Sequence, residues 1–228
     1  MCFSATASFG AGIVLSTIGV ASLKKVTQPT QKFFASIPLL FALQQISEGF
    51  LWLSLTNPKY AGLQAFTTYT FLFFAQVIWP TLVPLSTWLL EKKSQQKQIQ
   101  KILLAIGIIV SLYLAYCLLS YPVSASIEGY HIAYQQNYPA TLYNYGAVLY
   151  ILATIAPTLF SSLTRMWWLG AAILVSYIIT KIYYTDYFIS VWCFFASVIS
   201  IAVYIVIIEL NKPSEDFNLS TEQWPVIH

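Results

Sequence analysis

Seven apolar stretches, each about the length of a bilayer-spanning helix, occupy nearly all of this chain's 228 residues. A span needs about 20 mostly apolar residues. The candidates are Ala5–Leu23, Phe33–Leu55, Ala65–Leu90, Ile102–Ser120, Leu142–Leu163, Trp167–Tyr184 and Tyr187–Leu210. Charged residues make up 8% of the chain, against about 25% in a soluble domain. That is too little charge to solvate a globular surface, so lipid must be the solvent for most of it. The expected fold is all-α: a polytopic membrane protein with seven transmembrane helices over residues 1–212, a short cytoplasmic tail at 213–228, and no separate soluble domain.

Charge placement orients the bundle. Lys24, Lys25, Lys32, Lys92, Lys93, Lys97, Lys101, Arg165 and Lys212 fall in one set of alternate loops. Only Lys59 falls in the other, with Lys181 near a helix end. The positive-inside rule then places the N-terminus outside and the C-terminus inside. No charged side chain precedes the first apolar run, so that run is expected to remain as an anchor and not to be cleaved as a signal. The basic residues form short clusters between spans rather than a stripe, which argues against nucleic acid as a partner. Cys2, Cys117 and Cys193 are too few and too scattered for a disulfide framework.

Ser8, Gly12 and Ser16, with Gly19 close by, form a small-residue face on the first helix that lets a neighbouring backbone approach in lipid. Pro80, Pro84 and Pro157 are expected to kink the third and fifth helices. The segment Tyr121–Thr141, about 20 residues, is long enough that it should be ordered or functional. Its tyrosine-rich, charge-poor content suggests a lid folded over the mouth of the bundle.

Glu48 is the residue with most functional promise, because an ionisable side chain at membrane depth is costly and marks a site by default. At about 1.5 Å of rise per residue, it lies roughly 24 Å beyond Lys32. Gln44, Gln45 and Gln76 fall near the midplane, and Lys181 reaches the level of Glu48. Gln44 and Glu48 share one helix face at i,i+4. Polar groups therefore thin out towards the positively charged side, which describes a pocket opening outward. Glu48 is the candidate general acid or base, with Gln44, Gln45, Gln76, Lys181, Asp186, Tyr187 and Trp192 as ligand-binding candidates. The bland alternative is a polar clasp of side-chain amides that only joins helices.

Lys181 is expected to snorkel to the outer interface and pair with Asp186. A retinal Schiff base is excluded, since this lysine lies near the surface of the sixth span and the third span has no acid. Cys2, Glu48, His131 and Cys193 together make a zinc-type ligand set of thiolate, imidazole and carboxylate. Zinc or another transition metal is thus a candidate cofactor, although no CxxC or HxxxH spacing accompanies these residues. Cys2 and Cys193, at the ends of the first and last helices, would meet if the bundle closes.

The opening Met1-Cys-Phe-Ser-Ala-Thr-Ala-Ser-Phe9, the run Gln44-Gln45 with Glu48-Gly49 and Trp52, and Ser190-Val-Trp-Cys-Phe-Phe-Ala196 carry a resemblance. Together they resemble a family of uncharacterised bacterial multi-pass membrane proteins, from the first helix to the last and leaving out the tail. The resemblance implies a bacterial inner-membrane location and draws attention to these three segments.

The expected function is an intramembrane polar pocket that binds a small ligand or metal ion from the outer side, with membrane-embedded, metal-dependent catalysis as one form of it. The alternatives are a transporter or channel for a small solute, and a structural partner of another membrane protein. A transporter needs a polar path to the inner face, and below Gln44 and Gln76 the sequence offers little beyond Ser36, Ser86 and Thr87. The lipid bilayer is the one certain partner.

Overall fold

A computed structural model describes residues 4–139 and 143–212, with side chains left aside at 143–145 and 164. Cys2 and the tail at 213–228 lie outside the described residues. The chain is mostly helical: α1 (Ala5–Lys24), α2 (Lys32–Ala35), α3 (Ile37–Thr56), α4 (Gln64–Phe73), α5 (Trp79–Leu90), α6 (Ser94–Ser120), α7 (Tyr143–Thr154), α8 (Ala156–Leu159), α9 (Thr164–Tyr183), α10 (Phe188–Ile199) and α11 (Ile201–Leu210). Several of these join into longer runs. Among the described residues, six runs are long and apolar enough to cross a membrane: Ala5–Lys24, Pro29–Thr56, Pro58–Leu90, Ser94–Ser120, Arg165–Tyr183 and Thr185–Leu210. The seventh expected span, Leu142–Leu163, is represented by a shorter apolar helix, Gly146–Leu159. The helix breaks between α7 and α8 at Ile155, two residues before Pro157.

The proline effects differ from site to site. Pro80 has no N–H to offer the carbonyl four residues back, and the helix answers with a π-helical turn at Phe74–Ile78 joining α4 to α5. Carbonyls around this turn find side-chain donors instead. Ser111 Oγ donates to Val77 O at 2.7 Å, and the Tyr150 hydroxyl donates to Ala75 O. Pro84, by contrast, lies inside a continuous α5.

Close backbone approach organises the packing. α1 lies along α3, with Ser8, Gly12, Leu15, Gly19 and Ser22 buried. The seam therefore follows a spacing of three and four, and Ser16 drops to its edge. A Cβ at Gly12 would meet Ile46 at 2.7 Å, and one at Gly19 would meet the Leu39 backbone at 2.7 Å. α6 approaches α5 more tightly still: a Cβ at Gly107 would stand 1.9 Å from the Pro80 carbonyl oxygen.

One departure from an all-helical chain stands in the Tyr121–Thr141 segment. It contains a two-stranded antiparallel hairpin, β1 (Val123–Glu128) and β2 (His131–Gln136), with Glu128 opposite His131. The two-residue turn has Gly129 at φ 63° and, among the described residues, no other residue with positive φ. This is the pattern of a type II′ turn, which needs glycine first. Cross-strand pairs Ala125–Tyr134 and Ile127–Ile132 share one face. That face packs on Leu51, Trp52 and Phe71, with Phe71 and Tyr134 stacked at 5.0 Å. The Gln64 side chain fixes β1 to α4 by donating to Ala125 O at 3.2 Å.

The opposite end of the molecule gathers the basic loops and closes with polar bonds. Gln31 Nε2 donates to Asn211 Oδ1 at 2.8 Å, and Asn211 Nδ2 donates to Lys25 O at 2.6 Å. Glu91 is buried between two loops. It accepts from Ser162 N at 2.8 Å, from the Ser161 and Ser162 hydroxyls, and from Lys92 N and Lys93 N at 3.1 and 3.2 Å. Burial raises its pKa, but these donors outweigh burial and hold the carboxyl below its ordinary value.

Candidate functional site

α3 brings Gln44, Gln45 and Glu48 inside the bundle, all three fully buried. Glu48 cannot face lipid at this depth without losing every polar partner, and its Oε1 accepts from Ser190 Oγ on α10 at 2.6 Å. Gln44 Oε1 accepts from Trp79 Nε1 at 2.8 Å, and the Trp79 ring stacks on Phe41 at 3.8 Å. Cys193 lies one turn beyond Ser190 on the same helix and is buried. The amide of Gln45 has no hydrogen-bond partner among the described residues.

Beside this cluster is a cavity of about 560 Å³, within the size range of small-molecule sites. The hairpin and the chain just after it supply its roof through Tyr134, Gln136 and Tyr138. Gln76 and Tyr150 stand on one wall, Tyr177 and Trp192 on another, and Lys181 and Asp186 at an exposed rim. The π-helical turn sets Gln76 so that its Oε1 accepts from the Tyr138 hydroxyl at 3.0 Å. Burial, first among several causes, pushes the Tyr138 pKa above the ordinary phenol value, so this phenol remains a donor at neutral pH. A second, smaller cavity of about 60 Å³ lies against the first and shares Tyr150, Trp192 and Cys193 with it. Its other walls are almost wholly apolar, including Phe41, Leu169 and Val203. The chain belongs to a family of unknown function, DUF6629. The family's sequence model matches residues 1–216. Comparison with the curated proteins and with the solved structures finds no match.

The candidate residues of this DUF6629 chain thus divide between two places. Gln44, Gln45 and Glu48 form the buried cluster with Ser190, which sequence reasoning did not single out as a site residue. Gln76, Lys181, Asp186, Tyr187, Trp192 and Cys193 line the larger cavity. Lys181 and Asp186 share its rim without bridging, since among the described residues the one side-chain ion pair is Arg165–Glu209 at 2.9 Å. Both side chains are exposed, where solvation removes most of the gain from pairing.

His131 serves a different contact. Its ring stacks on Tyr187 at 4.6 Å and meets Tyr184 edge-on at 5.5 Å, joining the hairpin to the turn between α9 and α10. Burial is the first cause lowering its pKa, which favours the neutral ring. Among the described residues no three His, Cys, Asp or Glu side chains gather as a metal site, and Cys2 lies outside them. Of the zinc-type set, Glu48, His131 and Cys193 do not come together as a group of three.

Proposed function

We propose that this DUF6629 chain is a seven-pass membrane protein, N-terminus outside, that binds a small organic ligand in an outward-facing chamber beneath the hairpin. The observation that carries the reading is the cavity itself: about 560 Å³, walled by aromatic rings and carboxamides, and roofed by the hairpin. Glu48 and Ser190 stand behind its wall through Cys193. The seventh pass is the α7–α8 run. It leads from the hairpin end to Ser161 and Ser162, which bond Glu91 among the basic loops. Continuous transport is less well supported, because the space beyond Trp192 and Cys193 is small and almost wholly apolar.

Gly146 lines the chamber, and a Cβ there meets no described atom within 4 Å, so Gly146→Phe should obstruct it. Native mass spectrometry of the detergent-purified protein should detect a retained small molecule in the wild type and its loss in this variant. Retention unchanged by Gly146→Phe would remove the chamber from consideration.

A further inference from the structure

α7 and α9 form two sides of the chamber without closing on each other. The break at Ile155 separates α7 from α8, and the two pieces pack differently. α8 packs on α9 so closely that a Cβ at Gly170 would stand 2.5 Å from Thr158 Oγ1. α7 packs on α6 and α5 instead, and the Tyr150 hydroxyl ties it to Ala75 O. Among the described residues α7 and α9 share no packed seam. Ala147 on α7 and Lys181 on α9 both line the chamber and are both exposed, so the chamber opens between these helices. The edges of the gap are apolar: Val148 and Leu152 on α7, and Ile178 and Ile182 on α9, are exposed beside it. In a chain whose solvent is lipid, an opening edged this way faces acyl chains rather than water.

Polarity falls along the cavity in the same order as along a lipid. Lys181 and Asp186 stand exposed and unbridged at the rim. Trp192 lies six residues beyond Asp186, roughly 9 Å deeper at about 1.5 Å per residue. Past Trp192 and Cys193 the smaller cavity is almost wholly apolar. A charged head held at the rim keeps its water, whereas one drawn among the rings would be desolvated.

We propose that one acyl chain of a zwitterionic phospholipid enters the chamber sideways, from the leaflet on the hairpin side, through the gap between α7 and α9. The phosphate stays at Lys181 and the cationic end of the head beside Asp186, while the chain passes Trp192 towards the apolar slot. This rests on the ligand-binding reading of the same chamber and adds the source and class of the ligand, with no chemical step.

The test places the full chain in phosphatidylcholine vesicles doped with the same lipid bearing a diazirine near the end of one acyl chain. After illumination, labelled residues are read by mass spectrometry of the digested protein. Label should reach Tyr150 and Trp192 in the chamber as well as Leu112, exposed on α6. Ala147→Trp, which narrows the gap from one edge, should reduce the chamber label severalfold and leave Leu112 unchanged. Ile178→Trp repeats this from the other edge, and Leu112 reports in each variant that the protein is folded and inserted. Lys181→Gln should lower the chamber label by up to about fivefold, the worth of one exposed charge contact. Chamber label unchanged in both tryptophan variants would overturn the gap as the route. Equal chamber labelling by a diazirine fatty acid at the same mole fraction would overturn the phospholipid head. Wild type labelled at Leu112 but not in the chamber would sink lipid entry altogether. In that case a molecule retained by the wild type and lost in Gly146→Phe would still leave the chamber itself standing.

Discussion

Glu48 and Gln45 sit one turn apart on α3 and are equally buried, yet only the carboxylate receives a close donor from another span, the Ser190 hydroxyl. A group that leaves a buried donor behind when it is removed costs about 1–3 kcal/mol. Glu48→Ala should therefore lower unfolding stability in detergent by about that amount, while Glu48→Gln, which keeps an acceptor for Ser190, should stay within about 1 kcal/mol of wild type. If Glu48→Ala unfolds no earlier than wild type, the Ser190 bond carries no weight. The sequence made Glu48 conspicuous, because its type is plain and its depth can be counted from Lys32. Its partner was not legible. Ser190 lies 142 positions away, and which faces of α3 and α10 meet depends on the rotation of each helix, which hydropathy does not record. Gln44 shows the same gap, since nothing in the sequence marks Trp79 of the third span as its donor.

Elements meet in this protein where side chains are absent or where a carboxylate ties loops together. Gly107 allows α6 to touch the Pro80 carbonyl, and a methyl group there cannot be accommodated without moving one helix. Gly107→Ala should cost about 1–3 kcal/mol, the usual penalty of overpacking, and thermal unfolding of the purified variant measures it. Glu91 joins the α5–α6 loop to the loop before α9. Its folded pKa is depressed below the ordinary 4.5, so the stability it contributes is fully present above that value. It is lost as pH falls through the lower folded pKa. Unfolding followed from pH 7 down to pH 3 should show a loss below about 4.5 in the wild type that Glu91→Gln flattens. An identical profile in the two proteins would mean the five donors around Glu91 do not stabilise its charge. The hairpin was within reach of the sequence: Val123–Glu128 and His131–Gln136 flank Gly129-Tyr130, and a glycine-first two-residue turn is a recognised hairpin signal. Reading Tyr121–Thr141 by composition alone gave order and a lid without strands, because composition ignores the strict apolar–polar alternation of Val123-Ser-Ala-Ser-Ile-Glu128.

At the scale of the whole molecule, the two ends differ in kind. One is closed by Gln31, Asn211, Glu91 and Arg165 among the lysines, and the other carries the hairpin and the chamber. Counting apolar residues found the long helical runs, and the fifth is represented among the described residues by α7 and α8, Tyr143–Thr154 and Ala156–Leu159, with a break between them just before Pro157. At about 1.5 Å per residue, the run from Tyr143 to Leu159 reaches roughly 25 Å of a 30 Å hydrocarbon core, and polar neighbours cover its backbone near the break. Gln100 gives one such contact, donating to the Pro157 carbonyl at 2.7 Å. If the chain crosses seven times, the hairpin faces outward while the α5–α6 loop and Lys212 face inward. In a Cys2→Ser background, whose remaining described cysteines, Cys117 and Cys193, are buried, a membrane-impermeant maleimide applied to intact cells should label Tyr130→Cys. It should label Gln95→Cys and Lys212→Cys only after the membrane is opened. Labelling of Lys212→Cys in intact cells together with Tyr130→Cys would leave α7–α8 on one side of the membrane, and labelling of Gln95→Cys and Lys212→Cys without Tyr130→Cys would mean an inverted bundle. In the inverted case the chamber beneath the hairpin would lose its outward mouth, and a ligand would have to reach it from the other compartment or from the lipid.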